Sequence, residues 1–222
     1  MAVSVKILDG PIETINKAVP LEIRRELARI VIDAYKWSDI LIKNTAVFQS
    51  LRGRKRLLPE IKNVAVEFVA MQAVKNNRLP FQYRMASTSN HSHFYLELFD
   101  GNTLIHFNQV AQRNNCARKA FCRDRLIKPL SSYMDFDSGS IECDNKQYFQ
   151  VNHGYQSVAP LFVTLGIPEK SGKLGPKIYL LDEYSASTGK YPKSKIETVK
   201  DFSYEDFQRY AEGEEGNELF KS

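Results

Sequence analysis

A chain of 222 residues, 43% hydrophobic and 26% charged, has the composition of a globular protein with enough apolar mass for a sizeable core, which excludes a disordered or fibrous chain. No run of about 18 apolar residues is present to span a bilayer. The N-terminal Met1-Ala-Val-Ser-Val-Lys-Ile-Leu-Asp9 lacks a charged segment followed by a long apolar one, so a cytoplasmic location without a membrane partner is expected.

Three cysteines, Cys116, Cys122 and Cys143, form no C-x-x-C knuckle and read as reduced thiols. The formal net charge of +5 is unevenly placed. Residues 201–222 carry seven acids against Arg209 and Lys221, a net of −5, which leaves +10 on residues 1–200. A basic body of this kind attracts polyanions through its summed field.

In chain order, Leu21, Ile23, Leu27, Ile30, Val31, Ala34, Trp37 and Leu41 recur at three and four residues after Pro20 and predict an amphipathic helix weakening before Asn44. Ser50-Leu-Arg-Gly-Arg-Lys-Arg56 is a glycine-broken basic loop. Pro59 opens a second helix, Glu60 to about Lys75, whose run Val64 to Met71 is apolar nearly all round and reads as central and buried. Phe81 to Met85 predicts a strand. After the polar linker Ala86–Asn90, the runs His93–Phe99 and Asn102–Gln109 flank Asp100-Gly101, the signature of a hairpin with a type I′ turn. That turn pairs Phe99 with Asn102, Leu98 with Thr103, Leu96 with Ile105 and Phe94 with Phe107, and sets Tyr95 across from His106 with Glu97 on the diagonal. One face is then greasy, while the other collects His93, Tyr95, Glu97, Phe99, Asn102, Leu104, His106 and Asn108.

Cys116 to Ile127 reads as a helix ending at Pro129. Ser140–Cys143 and Gln147–Asn152 flank Asp144-Asn145-Lys146 as a hairpin. Ala159 to Leu165 is a short strand covered on both faces, Gly166 to Gly175 a loop, and Lys177 to Leu181 a last strand pairing with the Ala159 run. Past Tyr184 an irregular arm is expected, then a short helix from Phe202 with Ser203 as its cap, fading by Gly213. The expected fold is therefore α+β, a mostly antiparallel sheet with two N-terminal helices, a helix after the central hairpin and a short C-terminal helix. Residues 1–184 form one domain, helical over 1–79 and β-rich over 80–184, followed by an arm and acidic tail over 185–222.

Chemistry concentrates on the polar hairpin face. A histidine beside a carboxylate moves protons near neutral pH and a phenol holds an anion, the equipment for cleaving a ribose-phosphate backbone without metal. His106 is the candidate base, Glu97 its orienter and Tyr95 the phosphate contact; the competing reading is a hydrated or helix-covered face with a structural role. His91-x-His93 is read as a solvated pair, and no metal site is expected. Arg54, Lys55 and Arg56 in the basic loop, with Arg113, Arg118, Lys119 and Arg125 beyond the hairpin, are candidate phosphate contacts that bind without reading sequence. The competing reading for such charges is a solvated face. No P-loop, dinucleotide fingerprint or G-x-S-x-G elbow is present, and no cofactor is expected.

A helical acid, Glu67, then a hairpin acid, Asp100, then a strand ending Gln109-Val110-Ala111 resembles in layout the PD-(D/E)XK nuclease family over residues 60 to 112. The resemblance implies a metal held by the two acids and Gln109. Ala111 stands where that family has lysine. The reading favoured from the sequence is a nucleic-acid-binding protein, for RNA or single-stranded DNA, with metal-independent cleavage on the hairpin face. The alternatives are a non-catalytic interaction or inhibitor module meeting a protein partner through the acidic tail, and a degenerate nuclease fold of the kind just named.

Overall fold

In a computed structural model the described residues are 10–45, 48, 56–88, 93–127, 146–154 and 158–188. Among them, helices α1 (Pro11–Ala18), α2 (Leu21–Asn44), α3 (Leu58–Lys75) and α4 (Leu180–Thr188) accompany strands β1 (Gln82–Ser87), β2 (Phe94–Phe99), β3 (Thr103–Gln109), β4 (Gln147–His153), β5 (Val163–Pro168) and β6 (Leu174–Tyr179). The fold is α+β. Its sheet runs in sequence order from β1 to β6, antiparallel at every junction except β3–β4, which is parallel.

The helix periodicities explain which face is covered. Leu27, Ile30, Val31, Ala34 and Tyr35 of α2 and Ala65, Phe68, Val69 and Met71 of α3 form one core with Leu96, Leu98, Ile105, Phe107, Phe149, Val151 and Leu165 of the strands. The apolar run of α3 is central, as its composition demands. α1 was not anticipated. Pro11 opens it and the Glu13 carboxylate accepts from the Gly10 amide at 2.9 Å, but Ile15 is its one buried side chain, too weak a pattern to read.

The central hairpin differs from expectation in its turn. Glu97 pairs with His106, Leu98 with Ile105 and Phe99 with Leu104, a slip of two positions. Neither Asp100 nor Gly101 has positive φ, so the turn is not type I′. The Asp100 carboxylate instead accepts from the amides of Asn102 (2.7 Å) and Thr103 (2.6 Å), and its own amide donates to the Thr103 carbonyl at 3.0 Å. A side chain that satisfies two amides holds a wider turn without left-handed residues. Because strand side chains alternate with period two, a slip of two leaves each residue on its expected face.

The predicted helix from Cys116 to Ile127 is a single helical turn, Phe121–Asp124. Its first residues are committed elsewhere: Asn115 bridges to Lys173, the Cys116 amide donates to the Gly172 carbonyl at 3.0 Å, and the Ala117 amide donates to Gln150 Oε1 at 3.0 Å. The segment is an extended rib across the sheet face opposite α2 and α3. β5 begins and ends later than expected, so that Gly166 to Pro168 are strand and not loop. β6 pairs with it as expected but begins at Leu174, inside the expected loop, and stops at Tyr179. Leu180 and Leu181 enter α4, which also replaces the start of the expected irregular arm. Arg24 explains the anchorage, since its Nε and Nη2 donate to the two Glu183 oxygens at 2.8 Å each. Arg54, Lys55, His91, the Ser140–Cys143 strand, Pro129, the Phe202 helix and the acidic tail lie outside the described residues.

Candidate nucleic-acid interface

Alternation along four strands gathers polar side chains on the rib-covered face. Arg84 of β1, Glu97 of β2, His106 of β3 and Gln150 of β4 lie in successive register. Gln150 Nε2 donates to the Tyr148 hydroxyl at 3.1 Å, and that hydroxyl donates to His106 Nδ1 at 3.0 Å. His106 Nε2 in turn donates to Glu97 Oε1 at 3.1 Å, whose second oxygen accepts from Arg84 Nε at 2.6 Å. A carboxylate only accepts, so Nε2 carries the hydrogen toward Glu97, and burial disfavours the cation, which leaves Nδ1 to accept in the neutral Nε2–H tautomer. The Tyr95 and Tyr148 rings pack edge-on to it at 5.1 and 4.9 Å between centroids.

Burial sets the electrostatics. His106 is 1% exposed and burial pushes its pKa down, the Glu97 contact opposing and the charges of Arg123 and Arg84 adding to the depression. Burial alone would raise the Glu97 carboxyl. The hydrogen bonds and charges of His106 and Arg84 overcome it and hold that carboxyl below its ordinary value.

A cleft of about 570 Å³ opens beside this network, between the start of α3, the β2–β3 ends remote from the turn, and the rib. His93, Tyr95, His106 and Asn108 line it from the hairpin, Asn63 and Glu67 from α3, Arg118 from the rib and Arg123 from the helical turn after it. Asn63 Oδ1 is buried there without a hydrogen-bond partner. Arg123 Nε and Nη2 donate to the Arg118 carbonyl at 3.1 and 2.8 Å, which tethers one arginine to the backbone of the other.

The residues predicted from sequence divide accordingly. Tyr95, Glu97 and His106 are brought together, with Glu97 directly opposite His106 and Tyr95 on the diagonal, the reverse of the expected pairing. Arg118 reaches the cleft, while Lys119 lines a second cavity behind the rib. Arg113 is exposed and sits over the Tyr179 ring at 5.1 Å. Arg56 and Arg125 are exposed and line neither cavity. The predicted helical stripe joining Arg118 and Arg125 is not formed, because Arg118 lies in the extended rib.

The nuclease-like layout meets a geometric obstacle. Glu67, Gln109 and Ala111 line the cleft, but Asp100 sits at the opposite end of β3, roughly 20 Å away at about 3.3 Å per strand residue, holding the turn. Among the described residues no group of three or more His, Cys, Asp or Glu side chains is placed to hold a metal ion. Also among the described residues, no helix is long and apolar enough to cross a membrane. Arg84, Tyr148 and Gln150 were missed, although the alternation of Gln147–His153 was there to place Tyr148, Gln150 and Asn152 on one side. Comparison with protein-family models, curated proteins and solved structures finds no match for the chain.

Proposed function

We propose that this protein binds single-stranded nucleic acid, RNA or DNA, along the cleft beside the β2–β3 pair, and that the binding is not catalytic through His106. The carrying observation is the 570 Å³ cleft that joins Arg118 and Arg123 to the polar ends of two strands. Its size suits a nucleoside-scale group, and paired guanidinium groups suit a phosphodiester.

The same geometry argues against His106 as a general base. Both its ring nitrogens are engaged and the ring is 1% exposed, so proton abstraction would first require release of Tyr148. The network is better explained as the rigid floor of a binding surface.

Fluorescence anisotropy with a labelled ten-nucleotide RNA, its DNA equivalent and a duplex tests this, run at 50 and 200 mM salt with the RNA recovered and sized afterwards. Neutralising about three phosphates of a single strand gives a loss on the order of tenfold or more over that salt range. Arg118→Glu is expected to weaken binding further. Absent or salt-insensitive binding overturns the reading, and cleavage abolished by His106→Ala overturns its non-catalytic part.

A further inference from the structure

Behind the rib lies a second cavity of about 260 Å³, which shares Cys116, Ala117, Arg118 and Arg123 with the first. Lys119 and Lys170 line only the second one. We propose that this cavity is a second phosphate subsite on the same strand, so that the ligand recognised is a run of consecutive phosphodiesters and not a single nucleotide. The inference rests on the nucleic-acid reading above and goes beyond it in naming the ligand's minimum extent.

Size separates the two cavities. The larger lies within the range of small-molecule pockets, about 300–1,000 Å³, and the smaller falls just below it, with room for a phosphate group. Charge points the same way. Arg118, Lys119, Arg123 and Lys170 face Asp124 and Glu169 around the smaller cavity, an excess of cations. The Glu169 carboxylate already accepts from the Ser171 hydroxyl at 3.1 Å.

The wall between the cavities is built, not incidental. The rib is pinned on one side by the Cys116 amide to the Gly172 carbonyl and the Leu174 amide to the Asn114 carbonyl, each at 3.0 Å, and on the other by Ala117 to Gln150. Gly172 has φ +82, a turn conformation that brings its carbonyl to the rib and that a side chain would strain. With the Arg123 guanidinium tethered to the Arg118 carbonyl, one of the two arginines shared by the cavities is held in place with less ordering left to lose on binding. A strand crossing the rib places one phosphate on either side of it.

The test is the salt dependence of binding to a ten-nucleotide RNA by the full chain, Lys119→Gln/Lys170→Gln and Lys119→Arg/Lys170→Arg. Each phosphate neutralised on a single strand contributes about 0.7 to the slope of log affinity against log salt, so loss of both lysines, which serve the one phosphate of this subsite, is expected to lower the slope by about 0.7 and the low-salt affinity by roughly threefold to tenfold. The arginine pair is expected to keep the slope. Wild-type affinity and slope in the glutamine pair overturn the second subsite while the first reading stands. Failure of the unmodified chain to bind the RNA overturns both.

Discussion

Glu97 and His106 stand directly opposite each other on β2 and β3, Oε1 3.1 Å from Nε2, and Arg84 on β1 takes the other carboxylate oxygen at 2.6 Å. Charge, tautomer and ring orientation are thereby decided by three adjacent strands before any ligand arrives. The three groups are held as a cation, an anion and a neutral ring, with Tyr148 closing the last lone pair of the ring.

Removing the ring exposes how much depends on it. His106→Ala takes away the donor to Glu97 Oε1 and the acceptor of the Tyr148 hydroxyl hydrogen in a buried place and opens a cavity, for an expected loss of about 2–4 kcal/mol. Urea unfolding reads the change in midpoint. An unchanged midpoint would show that the network contributes nothing to the fold.

Acid sensitivity is expected to originate mainly on the other face of the sheet. His153 is buried beneath the helices with its Nδ1 2.9 Å from the Tyr35 hydroxyl, and burial holds its pKa down to about 4 against an ordinary 6.5, the Gly154 carbonyl opposing and the Lys62 charge adding. The unfolded chain takes up this proton first, so the stability is complete above pH 6.5 and is lost as pH falls toward 4, by about 3 kcal/mol. His106, also pushed down, adds in the same direction. Unfolding midpoints of His153→Gln are expected to vary less than wild type over that window.

Lys62 is 1% exposed, with Nζ 4.7 Å from the Tyr35 ring centre. Burial holds its amine down to about 8 against an ordinary 10.5, Asp39 opposing, so carrying the charge at neutral pH costs folding free energy. Lys62→Met is expected to stabilise the protein by about 1–2 kcal/mol at pH 7 after loss of the ring contact is offset, and the gain should vanish as pH rises through the window from 8 to 10.5. Denaturant midpoints at pH 7 and 10 check both statements.

The acidic tail, residues 201–222, carries −5 against +10 on the rest. Truncation at residue 201 is expected to tighten RNA binding severalfold at low salt, on the order of two- to tenfold, with the difference shrinking as salt rises. Unaltered RNA affinity with loss of a co-purifying protein would assign the tail to a protein partner instead.

The polar and greasy faces of the hairpin were legible because alternation survives any slip by an even number of residues. The turn was not, because the Asp100 carboxylate captures the Asn102 and Thr103 amides and removes the need for left-handed backbone. Periodicity gave α2 and α3, whose faces are long, but not α1, which buries one side chain. Cys116 to Ile127 read as a helix by local preference, yet the amides of Cys116 and Ala117 are taken by Gly172 and Gln150, more than thirty residues ahead. The cleft has the same origin. Arg118 and Arg123 meet His93 and Asn63 only through those long-range contacts, and no local pattern encodes them.

The lone parallel ladder divides the sheet into two meanders, β1–β2–β3 and β4–β5–β6, each closed by neighbours in sequence. Short-range pairing lets each meander assemble quickly, whereas their docking must wait for the excursion from Val110 to Lys146 to close. The bond from Tyr148 to His106 and the bond from Ala117 to Gln150 both span or cap this late joint. Binding competence should therefore appear in refolding only after most secondary structure has formed, and mutations that loosen the joint should abolish ligand affinity before they melt either half.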